Sequence, residues 1–413
     1  MFFVGTMPFN SEQFNYNSFS IILLGAHTLV SIFISRDLKP FTSILFISFI
    51  SFYVLHAIGY LYSENKHEAG LLLERKLSLI VFPIVLFYSP KHTIEEIKQV
   101  LLTFVFSCIT ICLISFTTAL VIYRATRNTD VFYYHDLSKH VGMHAAYLSL
   151  YLCFSIAILL FVFYKESKAF GLLHSMAYYG SIAFLAITVV ALSSRAQIVL
   201  LAIGLLCYTV IRLELYANKL KLIGGTFIIA VVFIGLILIS PRVRERFKAA
   251  INYKGEFAMS KKWGEQQMRF LIWDSALELI KEKPVFGKGT GDVQDELQRI
   301  YIKNERVSLT YFANTRFNAH NQFFESAIAL GFIGLLIFSW GIIMAVKRAY
   351  KSKNALYFVF ITLFVVSCLT ESMLERQNGI VFFAFFNSFL ILNNTTVILS
   401  VTKINQDQPK SFY

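Results

Sequence analysis

Residues 318–346 read NAHNQFFESAIALGFIGLLIFSWGIIMAV: four residues of polar opening, then an apolar run long enough to cross a bilayer, which takes about 20 residues of helix. His320 and Asn321 stand where the chain drops into hydrocarbon. They close a long polar stretch, residues 241–321, in a chain whose other parts are mostly apolar runs. Working outward from that boundary, membrane spans are expected at 18–35, 41–62, 74–89, 97–122, 144–164, 170–192, 196–213, 222–240, 322–346, 355–372 and 378–400.

Composition agrees. Of 413 residues 56% are hydrophobic and 16% aromatic, and the charged share is 15%, against roughly 25% in a soluble domain. Only helices and closed barrels satisfy their backbone groups in lipid, and these runs lack the two-residue alternation of barrel strands. The expected fold is therefore all-α: a polytopic helical integral membrane protein of about 11–12 transmembrane helices, with one long extracytoplasmic loop that contains helices. Residues 1–240 hold the N-terminal spans, 241–321 the loop with the candidate catalytic residues, and 322–413 the C-terminal spans and a short tail.

The formal net charge is +13. Lys and Arg sit in short loops and in the polar stretch, with no basic tail or patterned basic helix, so the charge speaks for membrane orientation and anionic lipid rather than nucleic acid. Loops carrying Arg36, Lys39, Lys91, Lys98, Lys347, Arg348, Lys351 and Lys353 belong to a set that outnumbers, in basic residues, the alternating set with Arg75, Lys76, Arg124, Arg127, Arg195 and Arg376. The richer set is cytoplasmic by the positive-inside rule. That puts 241–321, Arg195 and the turn around Glu371 outside, and the tail inside. The cysteines (Cys108, Cys112, Cys153, Cys207, Cys368) all fall in apolar runs and read as small buried hydrophobes. The start, Met1 to Pro8, lacks the basic opening of a signal peptide and reads as the stub of an earlier span.

Within the polar stretch, Glu265–Lys283 has helical periodicity, with Met268, Ile272, Ala276 and Leu279 on one face and Arg269 and Trp273 on an adjacent stripe. Pro284 stops it. Gly287-Lys288-Gly289-Thr290-Gly291-Asp292 makes a tight turn before a second helix from Asp292 to Ile302. The glycine run lacks Walker spacing and reads as a flexible turn whose N–H groups stand open to a phosphate.

Four positions suit chemistry on an anionic substrate. Arg195, in Ser193-Ser194-Arg195-Ala196, lies at the outer mouth between two spans, where a guanidinium either snorkels to the interface or pairs with an anion. Arg269 either decorates a helix surface or joins it. Two arginine forks suit a diphosphate, since each can hold phosphoryl oxygens bidentately. His320 precedes a helix N-terminus capped by Asn321, a position that keeps an imidazole neutral and able to take a proton. A second cluster, His135, Asp136, His140 and His144, has zinc-compatible i,i+4 spacing but no third ligand, and reads as a wet helix start. Glu371 and Arg376 line the last outer turn and read as partners of each other.

With Ser194-Arg195 opening a span, Arg269…Trp273…Pro284…Gly287-Lys288-Gly289-Thr290-Gly291 in the loop, His144-x-x-Tyr147-Leu148-Ser149, and above all His320-Asn321-Gln322-Phe323-Phe324-Glu325, the chain resembles the O-antigen ligase and O-antigen polymerase superfamily of bacterial membrane glycosyltransferases of the GT-C type. The resemblance runs over residues 144–390. It implies transfer of a glycan from an undecaprenyl-diphosphate donor, at the periplasmic face of the bacterial inner membrane, by an inverting mechanism without metal or cofactor. It implies His320 as general base, Arg195 and Arg269 on the diphosphate, and Asn321, Glu325 and Trp273 as supporting or sugar-binding residues. The acceptor is lipid A–core for a ligase, a further repeat unit for a polymerase. A polymerase calls for further arginines in a second outer loop, and Arg124 and Arg127 lie in one; the single large loop favours the ligase. A transporter or flippase of lipid-linked or anionic substrates predicts ionisable residues in mid-span, and the spans are clean.

Overall fold

The computed structural model describes residues 1–9, 16–35, 44–89, 92–164, 171–192, 195–213, 265–304 and 316–393. Helices occupy the described residues without a strand: α1 (Phe2–Thr6), α2 (Tyr16–Ser35), α3 (Ile44–Tyr62), α4 (Lys66–Lys76), α5 (Ser78–Tyr88), α6 (Ile94–Thr126), α7 (Tyr134–Ser138), α8 (Ala145–Ile158), α9 (Leu172–Ala191), α10 (Arg195–Leu213), α11 (Glu265–Glu282), α12 (Val293–Lys303), α13 (Gln322–Lys351), α14 (Ala355–Cys368) and α15 (Gln377–Leu392). Every expected span within the described residues coincides with a helix. The expected span 222–240 lies outside them. The chain is a multi-pass, all-α membrane protein. Ile94–Thr126, Ala145–Phe163, Leu172–Ala191 and Gln322–Lys351 each have the length and apolarity to cross a bilayer alone.

The third span is longer than its apolar run suggests. Asn65 caps α4, its side chain accepting from Glu68 N–H, and Leu77 keeps helical angles (φ −55°, ψ −30°) between α4 and α5. Residues 66–76, with their charges, thus continue the helical path of the span beyond its apolar run.

The bundle is centred on α8, buried at every residue and packed against α6, α9, α10 and α14. A helix apolar on all sides belongs in such a centre. Phe104, Phe154, Phe360, Phe382 and Phe386 fill the space around it, with centroid separations down to 4.8 Å.

α11 and the segment after it are joined to the bundle through a break in α13. Gly331 has φ 66° and ψ −160° inside that helix, which uncouples the carbonyls of Ile328 and Ala329 from the amides of Phe332 and Ile333. The segment after α11 takes up all four groups. Lys288 N–H donates to Ile328 C=O (2.8 Å) and Gly289 N–H to Ala329 C=O (2.9 Å), while Phe332 N–H donates to Pro284 C=O (2.7 Å) and Ile333 N–H to Val285 C=O (3.4 Å). Unpaired backbone at this depth is costly, so the inserted segment is what makes the break tolerable. A Cβ on Gly331 would lie 2.2 Å from Val285 O.

The glycine-rich turn is accordingly neither flexible nor open. Gly287 N–H goes to Lys283 C=O and Gly291 N–H to Ser63 Oγ (3.1 Å), and the Asp292 carboxylate accepts from the amides of Glu64 (2.9 Å) and Asn65 (2.7 Å). Its donors hold α3, α4 and α13 together instead of a phosphate.

Candidate functional site

A cavity of about 720 Å³ opens at one end of the helix bundle. Its wall comes from α4, the 134–144 region, α11, the 290–294 turn, residues 316–325 and the 371–376 turn. All of these belong to the set of segments that the distribution of Lys and Arg assigned to one side.

His320 sits in this wall with φ 44°, a left-handed conformation rare for a residue with a side chain and a form of strain that concentrates at functional sites. An Asx turn holds it: His320 N–H donates to Asn318 Oδ1 (3.0 Å). Asn321 then caps α13, Oδ1 accepting from Phe323 and Phe324 N–H (2.9 and 3.2 Å) and Nδ2 donating to Leu369 C=O (3.1 Å). Both Oδ1 and Nδ2 thus bond to backbone, with one amide N–H left over.

The group that the sequence did not assign to the histidine is Glu371. Its Oε2 lies 3.0 Å from His320 Nδ1 and its Oε1 2.9 Å from Arg269 Nη2. Sequence reading paired Glu371 with Arg376; the carboxylate faces Arg269 and His320 instead, because the 369–376 turn directs it toward α11. Burial alone would raise its pKa. The hydrogen bond from His320 and the charges of His320, Arg269 and His144 outweigh burial and carry it down to about 2. An ionised carboxylate only accepts, so His320 Nδ1 carries a proton, and in the neutral ring the lone pair is then on Nε2.

The turn presenting Glu371 is pinned from three helices, α4, α8 and α13. Lys76 of α4, fully buried, donates to Leu374 C=O (2.6 Å) and pairs with Glu375 (2.7 Å). Gln322 accepts from Leu374 N–H (2.6 Å), Ser372 Oγ donates to Glu325 Oε2 (3.1 Å), and Tyr147 Oη donates to Ser372 C=O (3.1 Å). Tyr151 Oη donates to Asn378 C=O (2.7 Å) just beyond the turn. Glu325 also accepts from Ala319 N–H (2.8 Å), so it clasps both arms of the site.

Of the other expected site residues, Arg269 is half-buried in the cavity wall as described, and Trp273, one turn on, uses its indole N–H on Ala319 C=O (3.1 Å) and packs edge-on against Phe324. Trp273 is a strut behind His320 and not part of the wall. Arg195 begins α10, but its side chain lies outside the described residues, as do Ser193 and Ser194. Arg124 and Arg127 are not in the wall; Arg75, Arg316 and Arg376 are. Arg316 pairs with Asp295, whereas Arg75 and Arg376 have no ion-pair partner among the described residues.

His144 caps α8, its Nδ1 accepting from Ala146 N–H (3.3 Å), and meets His135 edge-on at 4.2 Å. Burial pushes its pKa down to about 3, against the raising effect of Glu371. Its role as the start of a helix agrees with the sequence reading, and among the described residues no His, Cys, Asp and Glu group is arranged to hold a metal ion.

Comparison with known proteins bears on residues 180–339, which match the family described as O-antigen ligase. The matched region contains Arg195, Arg269, Trp273, His320, Asn321 and Glu325; Glu371 and Arg75 lie outside it. A Haemophilus influenzae protein described only as uncharacterized is 26% identical over 175 residues, 38% of this chain and 42% of that relative. The chain thus spans less than half the length of this relative. Over residues 180–339 the chain is thus similar to the O-antigen ligase family.

Proposed function

We propose that the protein transfers a glycan from an undecaprenyl-diphosphate carrier to an acceptor hydroxyl, with the cavity described above as its active site. One observation carries the reading: Glu371 joins a histidine, through Nδ1, to an arginine, through Nη2, in the wall of a cavity where outer helix ends meet. His320 Nε2 takes the proton of the acceptor hydroxyl as its oxygen attacks the anomeric carbon. The bond from that carbon to the diphosphate oxygen breaks, and the pair of electrons leaves with the carrier diphosphate. Arg269 and Arg195 stabilise the charge that develops there. Attack from the face opposite the leaving group inverts the anomeric centre. Diphosphate is a good leaving group, and the arginine forks do the electrostatic work, so the reaction requires no metal. The position is the periplasmic face of the inner membrane.

In this reading the acceptor is lipid A–core, as for a ligase. A repeat-unit polymerase is the second reading, and Arg75 and Arg376 favour it: two guanidinia without ion-pair partners among the described residues suit an acceptor that carries phosphate of its own.

The test is purified protein in nanodiscs with undecaprenyl-diphosphate oligosaccharide and either lipid A–core or no second acceptor. A single transfer to lipid A–core supports the ligase, and a ladder of repeats the polymerase. His320→Ala is expected to abolish both. Wild-type turnover that disappears with a chelator would refute the metal-free mechanism, and full turnover by His320→Ala the base.

A further inference from the structure

His56 lies on α3, about 9 Å below the outer end of that helix at 1.5 Å per residue. Its side chain is 2% exposed, yet it belongs to the cavity wall. Its Nδ1 is 3.3 Å from Thr290 Oγ1, and that hydroxyl is 2.7 Å from the carbonyl oxygen of His56 itself. A hydroxyl has one proton to give, and the carbonyl can only accept. Thr290 therefore donates to the carbonyl, His56 donates from Nδ1 to Thr290, and the lone pair of the imidazole is on Nε2. That atom has no hydrogen-bond partner among the described residues.

The ring is fixed in place. Phe52 meets it edge-on at 4.7 Å, and Gly59, one turn along, leaves room for Thr290: a Cβ there would lie 2.4 Å from Oγ1. Glu325 is in the same wall, 4% exposed. Its Oε2 is occupied by Ala319 N–H and Ser372 Oγ, whereas Oε1 has no hydrogen-bond partner among the described residues. Two polar side chains of this wall, each more than nine-tenths buried, thus each keep one atom without a hydrogen-bond partner among the described residues.

We propose that His56 Nε2 and Glu325 Oε1 form a subsite for the hydroxyl groups of a sugar ring. A phosphate oxygen only accepts and leaves His56 Nε2 unsatisfied, and an apolar group leaves both atoms so. A hydroxyl donates to the imidazole and matches the carboxyl in either direction. This rests on the glycan-transfer reading and extends it by naming residues that select the glycan. The hydroxyl comes from the donor glycan or from the acceptor glycan.

Full-length protein in nanodiscs, measured by binding, tests this with three probes: undecaprenyl diphosphate bearing one N-acetylglucosamine, undecaprenyl diphosphate without sugar, and lipid A–core. His56→Asn keeps an amide N–H where Nδ1 stood and removes Nε2; His56→Gln keeps a polar atom where Nε2 stood. His56→Asn is expected to weaken the glycosylated carrier or lipid A–core by about tenfold, and the sugar-free carrier by less than about twofold. His56→Gln is expected to recover part of the loss. The probe that weakens identifies the source of the hydroxyl. If His56→Asn does not fold, Thr290→Val replaces it, because the tautomer is then no longer fixed and the same probe is expected to weaken by about threefold. Unchanged binding of both sugar-bearing probes overturns the proposal, as does equal loss of the sugar-free carrier. Failure of the glycan-transfer reading looks different: the wild type would bind none of the three.

Discussion

Glu371 Oε2 stands 3.0 Å from His320 Nδ1, and the same carboxylate reaches Arg269 with its other oxygen at 2.9 Å. One side chain therefore sets the tautomer of the histidine and the direction of the arginine, linking the 369–376 turn, the start of α13 and α11.

Glu371→Gln tests that link. The amide can donate to Nδ1 as well as accept from it, so the imidazole is no longer held with Nε2 bare, and the arginine loses its counter-charge. A fall in kcat of about 10²-fold or more is expected, with a smaller change in donor KM. Transfer rates of the purified variant check this; wild-type kcat would remove Glu371 from the mechanism.

The Glu371 carboxyl, carried down to about 2 in the folded protein from an ordinary value of 4.5, also predicts a pH dependence. A depressed folded value stabilises the fold above the ordinary pKa, and that stabilisation is lost as pH falls from 4.5 toward 2. The difference in Tm between wild type and Glu371→Gln is therefore expected to be level above pH 5 and to shrink steadily below 4.5. A difference that grows on acidification would contradict the ionised carboxylate.

Lys76, fully buried, pairs at 2.7 Å with Glu375, which is 12% exposed. Lys76→Met leaves the carboxylate without its counter-charge and is expected to cost about 3–5 kcal/mol. The double variant Lys76→Met, Glu375→Leu is expected to regain most of it, since removing both charges also removes both desolvation costs. Thermal unfolding of the single and double variants decides; equal loss in both would mean that the Lys76 contact to Leu374 C=O matters more than the ion pair.

Gly331→Ala places a Cβ against Val285 O at a left-handed position. A loss of about 2 kcal/mol or more is expected, together with reduced transfer activity, because the clamp beneath Arg269 and His320 loosens. An unchanged Tm would show that the broken helix relaxes at no cost.

Much of this was legible in the sequence. Apolar run length located the membrane helices, and the periodicity at Met268, Ile272, Ala276 and Leu279 located α11 to within a residue of its observed end. His320, Arg269 and the Asn321 cap could be singled out because a polar group at the edge of hydrocarbon needs a reason. Glu371 could be seen but not its partner, since the residues that orient its turn (Lys76, Gln322, Tyr147) come from separate helices and show no sequence pattern. The glycine-rich turn was misread for a related reason. Its amides are satisfied by a break in α13, and a single glycine within an apolar run gives no sign of such a break.

That break has a consequence for how this architecture can be recombined. Because the segment 284–289 completes the backbone of α13 and the 290–292 turn anchors to residues 63–65, residues 265–304 are not a cassette bounded by their own ends. A chimaera that exchanged only those residues between relatives would depend on the incoming segment meeting the same four backbone groups of α13. The smallest exchangeable unit includes the first half of α13 and the C-terminal end of α3, so acceptor preference is expected to travel with membrane helices as well as with the loop.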